Sequence, residues 1–339
     1  MGNDDGHSVL EGPGTLTQEE VDEAFELLNK TSDEIKKVIR GQETIINSVI
    51  RAMISRGHIL MEGLPGLGKT VLCRVLSDVC ELDFKRVQFT TDLLPSDIIG
   101  IVTYTKEEGF SVIKGPVFAN LMLADEINRA PPKVQSALLE AMGEKQVTIS
   151  KDTHKLMDPF FVMATQNPIE QAGTFPLPEA QMDRFLFKTN VLYPDFESEF
   201  LIMEANFNTK KSEDFSLEKV LTPEKIINLQ HMVPKIHIER SLKYYILKIV
   251  NSTRTPDEFN LKHGELIKVG ASPRATINIL LACRAEALMN GRYYVIPQDI
   301  KNITHEVLRH RIQLNFKAKM ENISVDDVID DILKRVKIH

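Results

Sequence analysis

The chain of 339 residues contains no tryptophan, only six tyrosines and only three cysteines. Three cysteines cannot form a disulfide framework, and Cys73, Cys80 and Cys283 show no metal-ligand spacing. Cys73 and Cys80 stand seven apart in a helical pattern, so both are expected to pack as small hydrophobes. Nine histidines include no HExxH and no i, i+4 pair suited to a metal. No apolar run approaches the ~18–20 residues of a membrane helix. The N-terminus has neither a basic nor an apolar stretch, so no secretory signal is visible. Met1-Gly2 opens like a myristoylation site, but Gly6 stands where Ser or Thr is needed. Positive charge is also in deficit: 41 Lys plus Arg against 48 Asp plus Glu leaves −7. That balance excludes a basic nucleic-acid coat. These absences lead us to expect a cytoplasmic protein that reaches a membrane only through a partner, without direct insertion, and they disfavour a nucleic-acid partner while leaving room for a local basic patch.

What is present is an ordinary globular composition, 42% hydrophobic and 26% charged, and a length that suggests about two domains. Residues 1 to 15 lack an apolar period and read as a mobile tail. Thr17 to Ile54 carries a helical pattern. From Gly57, short apolar runs alternate with helical stretches: His58–Met61, Val87–Phe89, Leu121–Ala124, Phe160–Ala164 and Phe185–Phe187 read as strands. Val134 to Met142 reads as a helix closed by Gly143. The alternation predicts an α/β domain over residues 16–192 with a parallel sheet covered on both faces. After Tyr193-Pro194 the strand signals stop, and 193–339 reads as an all-helical domain. Its helix starts include Thr222-Pro223, Ser272-Pro273 and a Ser324/Asp327 capping box.

Gly63-Leu64-Pro65-Gly66-Leu67-Gly68-Lys69-Thr70 matches the phosphate-binding pattern G-x-x-x-x-G-K-[ST], between a predicted strand and a predicted helix. Glycines let the backbone wrap a phosphate and aim N–H groups at it, and the helix N-terminus adds partial positive charge. Lys69 should reach the β- and γ-phosphates, Thr70 should ligate Mg²⁺, and Val71 follows in the first turn. Fifty-five residues beyond Thr70, the run Leu121–Ala124 delivers Asp125-Glu126. Asp125 is the expected Mg²⁺ ligand and Glu126 the base for an attacking water.

The phosphate-binding run, followed by Leu123–Pro132 (LADEINRAPP, which holds Asp125-Glu126), Ala164–Pro168 (ATQNP) and Leu177–Phe185 (LPEAQMDRF), closely resembles the MoxR-type AAA+ ATPases over roughly residues 17–339. The resemblance implies a P-loop αβα core with a helical lid, ATP or ADP with Mg²⁺ as cofactors, and hydrolysis of ATP. It makes Asn167 the sensor 1 amide, and Arg184 an arginine finger offered to a neighbouring subunit, with Arg129 as the other candidate. It makes Arg274, in Ala271-Ser-Pro-Arg-Ala275, a sensor 2 reaching back from the lid to the γ-phosphate. Val38, Ile39, Gly41 and Gln42 resemble the segment that packs adenine, and no NKxD guanine-reading motif appears. Residues 91–116 look like an insertion facing a ring pore, with Phe110 a candidate pore residue; a Phe in an alternating strand is more often buried. Gln88 resembles a polar residue that gates Glu126. The resemblance further implies a ring, hexameric by family habit, whose lid and interface rotate on hydrolysis. It implies chaperone-like remodelling or metal-cofactor insertion of a client, with a von Willebrand factor A domain protein as partner. Two other readings stay open: a DNA-acting AAA+ motor, and a nucleotide-gated scaffold with little hydrolysis. Arg309-His310-Arg311 reads as a solvated basic face.

Overall fold

The computed structural model describes residues 16–106, 109–168, 173–207 and 216–338. The expected tail at 1–15 lies outside them. Thr17 opens α1 (Gln18–Lys36) with a reciprocal cap: its hydroxyl accepts from the Glu20 N–H while the Glu20 carboxylate accepts the Thr17 N–H at 2.8 Å. The helical pattern is not continuous to Ile54. It breaks at a turn where Gly41 takes φ +67°, then resumes as α2 (Glu43–Ile54). The alternating region follows as β1 (Ile59–Glu62), α3 (Lys69–Val79), β2 (Phe84–Gln88), α4 (Pro95–Ile99), β3 (Gly100–Thr105) and β4 (Gly109–Lys114). It continues through β5 (Leu121–Asp125), α5 (Pro132–Glu144), β6 (Gln146–Ile149), β7 (Asp152–Lys155), β8 (Phe161–Gln166), α6 (Glu179–Met182) and β9 (Phe187–Asn190).

Five strands form one parallel sheet in the order β2-β5-β8-β1-β9. Strand residues alternate between two apolar clusters, as a period of two requires. Ile59, Met61, Leu121, Leu123, Phe161 and Met163 face the cluster built with α1, α2 and α3. Leu60, Met122, Ala124, Val162 and Ala164 face the cluster built with α5. Because the strands are parallel, every loop leaving a C-terminal strand end opens on the same edge, where α/β proteins place ligands. Cys73, Cys80 and Cys283 are free and buried. Desolvation pushes the Cys283 thiol up to about 12, so these cysteines pack as hydrophobes, as expected.

Two predicted details change. Gly143 does not close α5, which runs on to Glu144 and ends where Lys145 takes φ +52°. Its lack of a side chain serves packing: a Cβ there would lie 2.2 Å from Arg184 Nη1. Residues 100–105 pair antiparallel with residues 109–114 as β3 and β4, and Phe110 is 81% exposed beside Tyr104 rather than buried.

The helical region after the sheet, called the lid below, comprises α7 (Phe196–Phe207), α8 (Pro223–Met232), α9 (Arg240–Ser252), β10 (Ile267–Val269), α10 (Pro273–Met289), α11 (Pro297–Leu308), β11 (Gln313–Leu314), α12 (Phe316–Met320) and α13 (Val325–Arg335). Among the described residues it departs from helix, beyond short 3₁₀ turns, in the small antiparallel pair of β10 and β11, where Ile267 meets Leu314, and in a parallel bridge between His237 and Tyr294. The predicted starts at Thr222 and Ser324 are helix caps, each hydroxyl accepting an N–H three residues on. Lid and sheet share one apolar cluster, since α10 packs on α1 and α2. A buried ionic cluster crosses the same seam. Arg51 of α2 pairs with Glu286 of α10 at 2.6 Å and with Glu306 of α11 at 3.0 Å, and Thr189 of β9 donates to Glu306 at 3.0 Å. Removing one member of such a cluster typically costs about 3–5 kcal/mol, because it strands an uncompensated charge.

Candidate nucleotide site

Residues 63–70 connect β1 to α3. Gly66 and Gly68 adopt φ +85° and +74°, and a Cβ on either would meet nothing within 4 Å. Backbone conformation, not crowding, therefore demands glycine at both. Gly68 caps α3 without a side-chain hydrogen bond, so the first N–H groups of the helix are offered to an anion. Lys69 Nζ donates to the Gly63 carbonyl at 2.5 Å. Burial lowers the Lys69 ammonium pKa, and the nearby carboxylates of Asp125 and Glu126 oppose that shift. Gln42 Nε2 donates to the Leu67 carbonyl at 3.1 Å, tying the Gly41 turn to the loop. Ile39 is buried and Val38 half-buried behind it, while Val71 is exposed.

β5 ends at this edge. Asp125 Oδ1 accepts from the Thr165 hydroxyl at 2.6 Å, and Oδ2 accepts from Arg86 Nη2 at 2.7 Å. Glu126 takes φ +56° and ψ +50°, a left-handed conformation costly for a residue with a side chain. Its N–H donates to the same Thr165 hydroxyl at 2.8 Å, so Thr165 holds both acidic residues. Glu126 Oε2 accepts from Gln88 Nε2 at 2.8 Å and from Arg129 Nη1 at 3.0 Å. Asn167 is buried just past the end of β8, the strand between β1 and β5. One ammonium, main-chain N–H groups, the Thr70 hydroxyl and the Asp125 carboxylate form a donor set that fits a phosphate with a hard cation such as Mg²⁺.

Arg184 and Arg274 are not part of this cluster. His58 precedes β1 and Leu186 precedes β9, so both mark the opposite, N-terminal end of the sheet. There a groove of about 360 Å³ is lined by His58, Gly143, Lys145, Asp183, Arg184 and Arg274. The length of β1 alone separates the two ends by about 13 Å. Arg274, expected as a sensor 2, lies in this structure at the end of the sheet away from the P-loop of its own subunit. The cause is how α10 docks. Its Ser272 hydroxyl donates to Asp183 Oδ2 at 3.1 Å, and Arg274 Nη1 lies 3.4 Å from the same oxygen. Asp183 is fixed in turn by Arg311 Nε at 2.6 Å. Exposed Arg184 donates to the Leu139 carbonyl at 2.7 Å. Of the two finger candidates, Arg129 sits on its own Glu126 and Arg184 lies at the far end.

The basic run 309–311 is likewise not a solvated face. His310 and Arg311 are each 7% exposed, and Arg311 also donates to the Phe185 and Leu186 carbonyls. Burial pushes its pKa down to about 10 against the pull of Asp183. Sequence reasoning gave no role to Thr165 or Arg86. Thr165 lies inside the ATQNP run, and Arg86 stands two residues before Gln88, which puts both on one face of β2.

Residues 58–187 match the family model described as ATPase family associated with various cellular activities (AAA), and residues 262–332 match the AAA lid domain. The chain is 42% identical to Chaperone MoxR1 of Mycobacterium tuberculosis, across 92% of this chain and 82% of that protein. It is 31% identical to Protein MoxR of Paracoccus denitrificans, across 82% and 86%. The crystal structure of a candidate ATPase from Cytophaga hutchinsonii superposes with a TM-score of 0.89 at 45% identity, covering 95% of this chain and 98% of that one.

Proposed function

The chain belongs to the MoxR family of AAA+ ATPases, and from that premise we propose that it hydrolyses ATP between adjacent subunits of a ring and uses the cycle to remodel client proteins. One observation carries this reading: Lys69, Asp125 and Glu126 gather at one end of the sheet, and Arg184 and Arg274 at the other. Neither end is complete alone. Apposing the arginine end of one copy to the acidic end of the next is a head-to-tail contact, and such contacts close into rings when the rotation permits. The family's habit makes that ring a hexamer.

In this arrangement the P-loop N–H groups and Lys69 hold the β- and γ-phosphates of ATP. Thr70 and Asp125 hold Mg²⁺, which supplies charge neutralisation when bound. Glu126 takes the proton of the attacking water, and the amide of Asn167 orients that water or the γ-phosphate. Arg184 and Arg274 of the adjacent subunit stabilise charge developing on the phosphoryl group, a contribution of about 10³–10⁵ in rate where fingers have been measured. Val38, Ile39, Gly41 and Gln42 pack the adenine. Lid and core of one subunit share a core and the buried Arg51 cluster. The moving joint is therefore the contact between subunits, and the exposed β3–β4 pair with Phe110 moves with it. The chaperone name of the mycobacterial relative supports remodelling as the output. Family membership supports a von Willebrand factor A domain partner and clients that include metalloenzymes awaiting their metal.

The test is capture. Tagged Glu126→Gln protein is held with ATP in native extract, with Lys69→Ala as control. ATP-dependent recovery of a von Willebrand factor A domain protein or a metalloenzyme is the expected result. Recovery of DNA and replication proteins instead would overturn the remodelling assignment in favour of a DNA motor.

A further inference from the structure

Arg86 has no role in the mechanism above, yet its side chain touches Asp125 directly and is linked to Glu126 through Gln88. It projects from β2 on the same face as Gln88, two residues on. Gln88 stands directly opposite Asp125 in the β2–β5 ladder. Arg86 donates to Asp125 Oδ2 through Nη2 at 2.7 Å and Nε at 3.2 Å. The same Nη2 donates to Gln88 Oε1 at 3.1 Å. With its oxygen engaged by Arg86, the Gln88 amide can present only its NH₂ to Glu126, and it does so at 2.8 Å. The contacts form an unbroken chain from Asp125 through Arg86 and Gln88 to Glu126.

We infer that Arg86 is a positioning residue that couples the magnesium ligand Asp125 to the general base Glu126. It acts in two ways. Together with the Thr165 hydroxyl on Oδ1, it fixes the plane of the Asp125 carboxylate from the Oδ2 side. It also fixes the orientation of the Gln88 amide, and through it the resting position of Glu126. A change in the Asp125 carboxylate on cation binding thereby reaches Glu126 without any backbone movement. Only a guanidinium can serve both acceptors, because its planar fork offers several donors in fixed directions. This inference rests on the ATPase reading of the same site.

The experiment measures fluorescent ADP binding to the full chain across a Mg²⁺ titration and in EDTA, alongside steady-state turnover. Loss of a group that orients a metal ligand typically weakens metal affinity by about 10–100-fold. Arg86→Ala is expected to lower apparent Mg²⁺ affinity by about tenfold or more, with ADP affinity in EDTA unchanged. Arg86→Lys should restore much of the Mg²⁺ affinity but not the link to Gln88. In turnover, Gln88→Ala should change kcat in the wild-type background and add nothing further in the Arg86→Lys background. Wild-type Mg²⁺ affinity in a folded Arg86→Ala protein, or additive kcat effects of Arg86→Lys and Gln88→Ala, would overturn the inference. If Arg86→Ala fails to fold, the Arg86→Lys and Gln88→Ala pair still decides. Failure of the underlying reading looks different: the unmodified protein would then show no Mg²⁺-dependent nucleotide binding at all.

Discussion

The two ends of the parallel sheet hold their charged groups in different ways. At the C-terminal end, Asp125 and Glu126 are held by side chains that can re-pair: Thr165, Arg86, Gln88 and Arg129. At the N-terminal end the anchor is rigid. Arg311 is buried, tied to main-chain carbonyls and to Asp183, and Asp183 in turn holds the start of α10 with Arg274. The difference teaches a division of labour. One end carries groups whose hydrogen bonds must change during a reaction cycle, and the other presents arginines from a fixed platform. On the proposed reading, charges placed so far apart serve one nucleotide across a contact between copies.

Several substitutions would break or sharpen this comparison. The largest effect is expected at the platform: Arg184→Ala should lower turnover by about 10³–10⁵ while a single subunit still binds ATP. An equal loss of ATP affinity in dissociated subunits would place Arg184 in its own subunit's site instead. Next comes Glu126→Gln, expected to bind ATP normally and lose about 10²–10⁴ in turnover. Near-normal turnover would move the base elsewhere. Third, Arg51→Ala should cost about 3–5 kcal/mol of stability by leaving Glu286 and Glu306 buried without their cation, read as a lower denaturant midpoint. A stability loss under about 1 kcal/mol, from midpoint and slope together, would show that lid and core are joined by apolar packing alone. The smallest effect belongs to Gly143→Ala. The added methyl collides with Arg184 Nη1, and we expect turnover to fall by about tenfold, ~1.4 kcal/mol, with ATP affinity untouched.

What was legible in the sequence follows the same division. The P-loop and Asp125-Glu126 were readable because each is a contiguous run whose meaning depends only on a strand before it and a turn or helix after. The place of Asn167 just past a strand was readable for the same reason. Arg86 and Thr165 were not, because their roles depend on β2, β5 and β8 being neighbours, although they are far apart in the chain. Arg274 was picked out by motif, but its place in space was not legible. Its position follows from α10 docking through Arg51, which is 235 residues from Glu286, and from the Asp183–Arg311 pair, 128 residues apart. No local pattern encodes such packing. The basic run at 309–311 misled for the opposite reason. Charge in sequence suggests a solvated surface, and only the fold reveals that Arg311 is buried against Asp183 and backbone carbonyls.

The central claim is that each hydrolytic site is completed by a neighbouring copy, and mixing two inactive proteins tests it most directly. Arg184→Ala retains an intact Glu126, and Glu126→Gln retains an intact Arg184. In a mixed ring assembled at equal amounts, about one interface in four would pair an intact acidic end with an intact arginine end. The account predicts that turnover, negligible in either protein alone, reappears on mixing and peaks near equal proportions. Turnover that stays at the sum of the two separate proteins, in rings shown to exchange subunits, would contradict it.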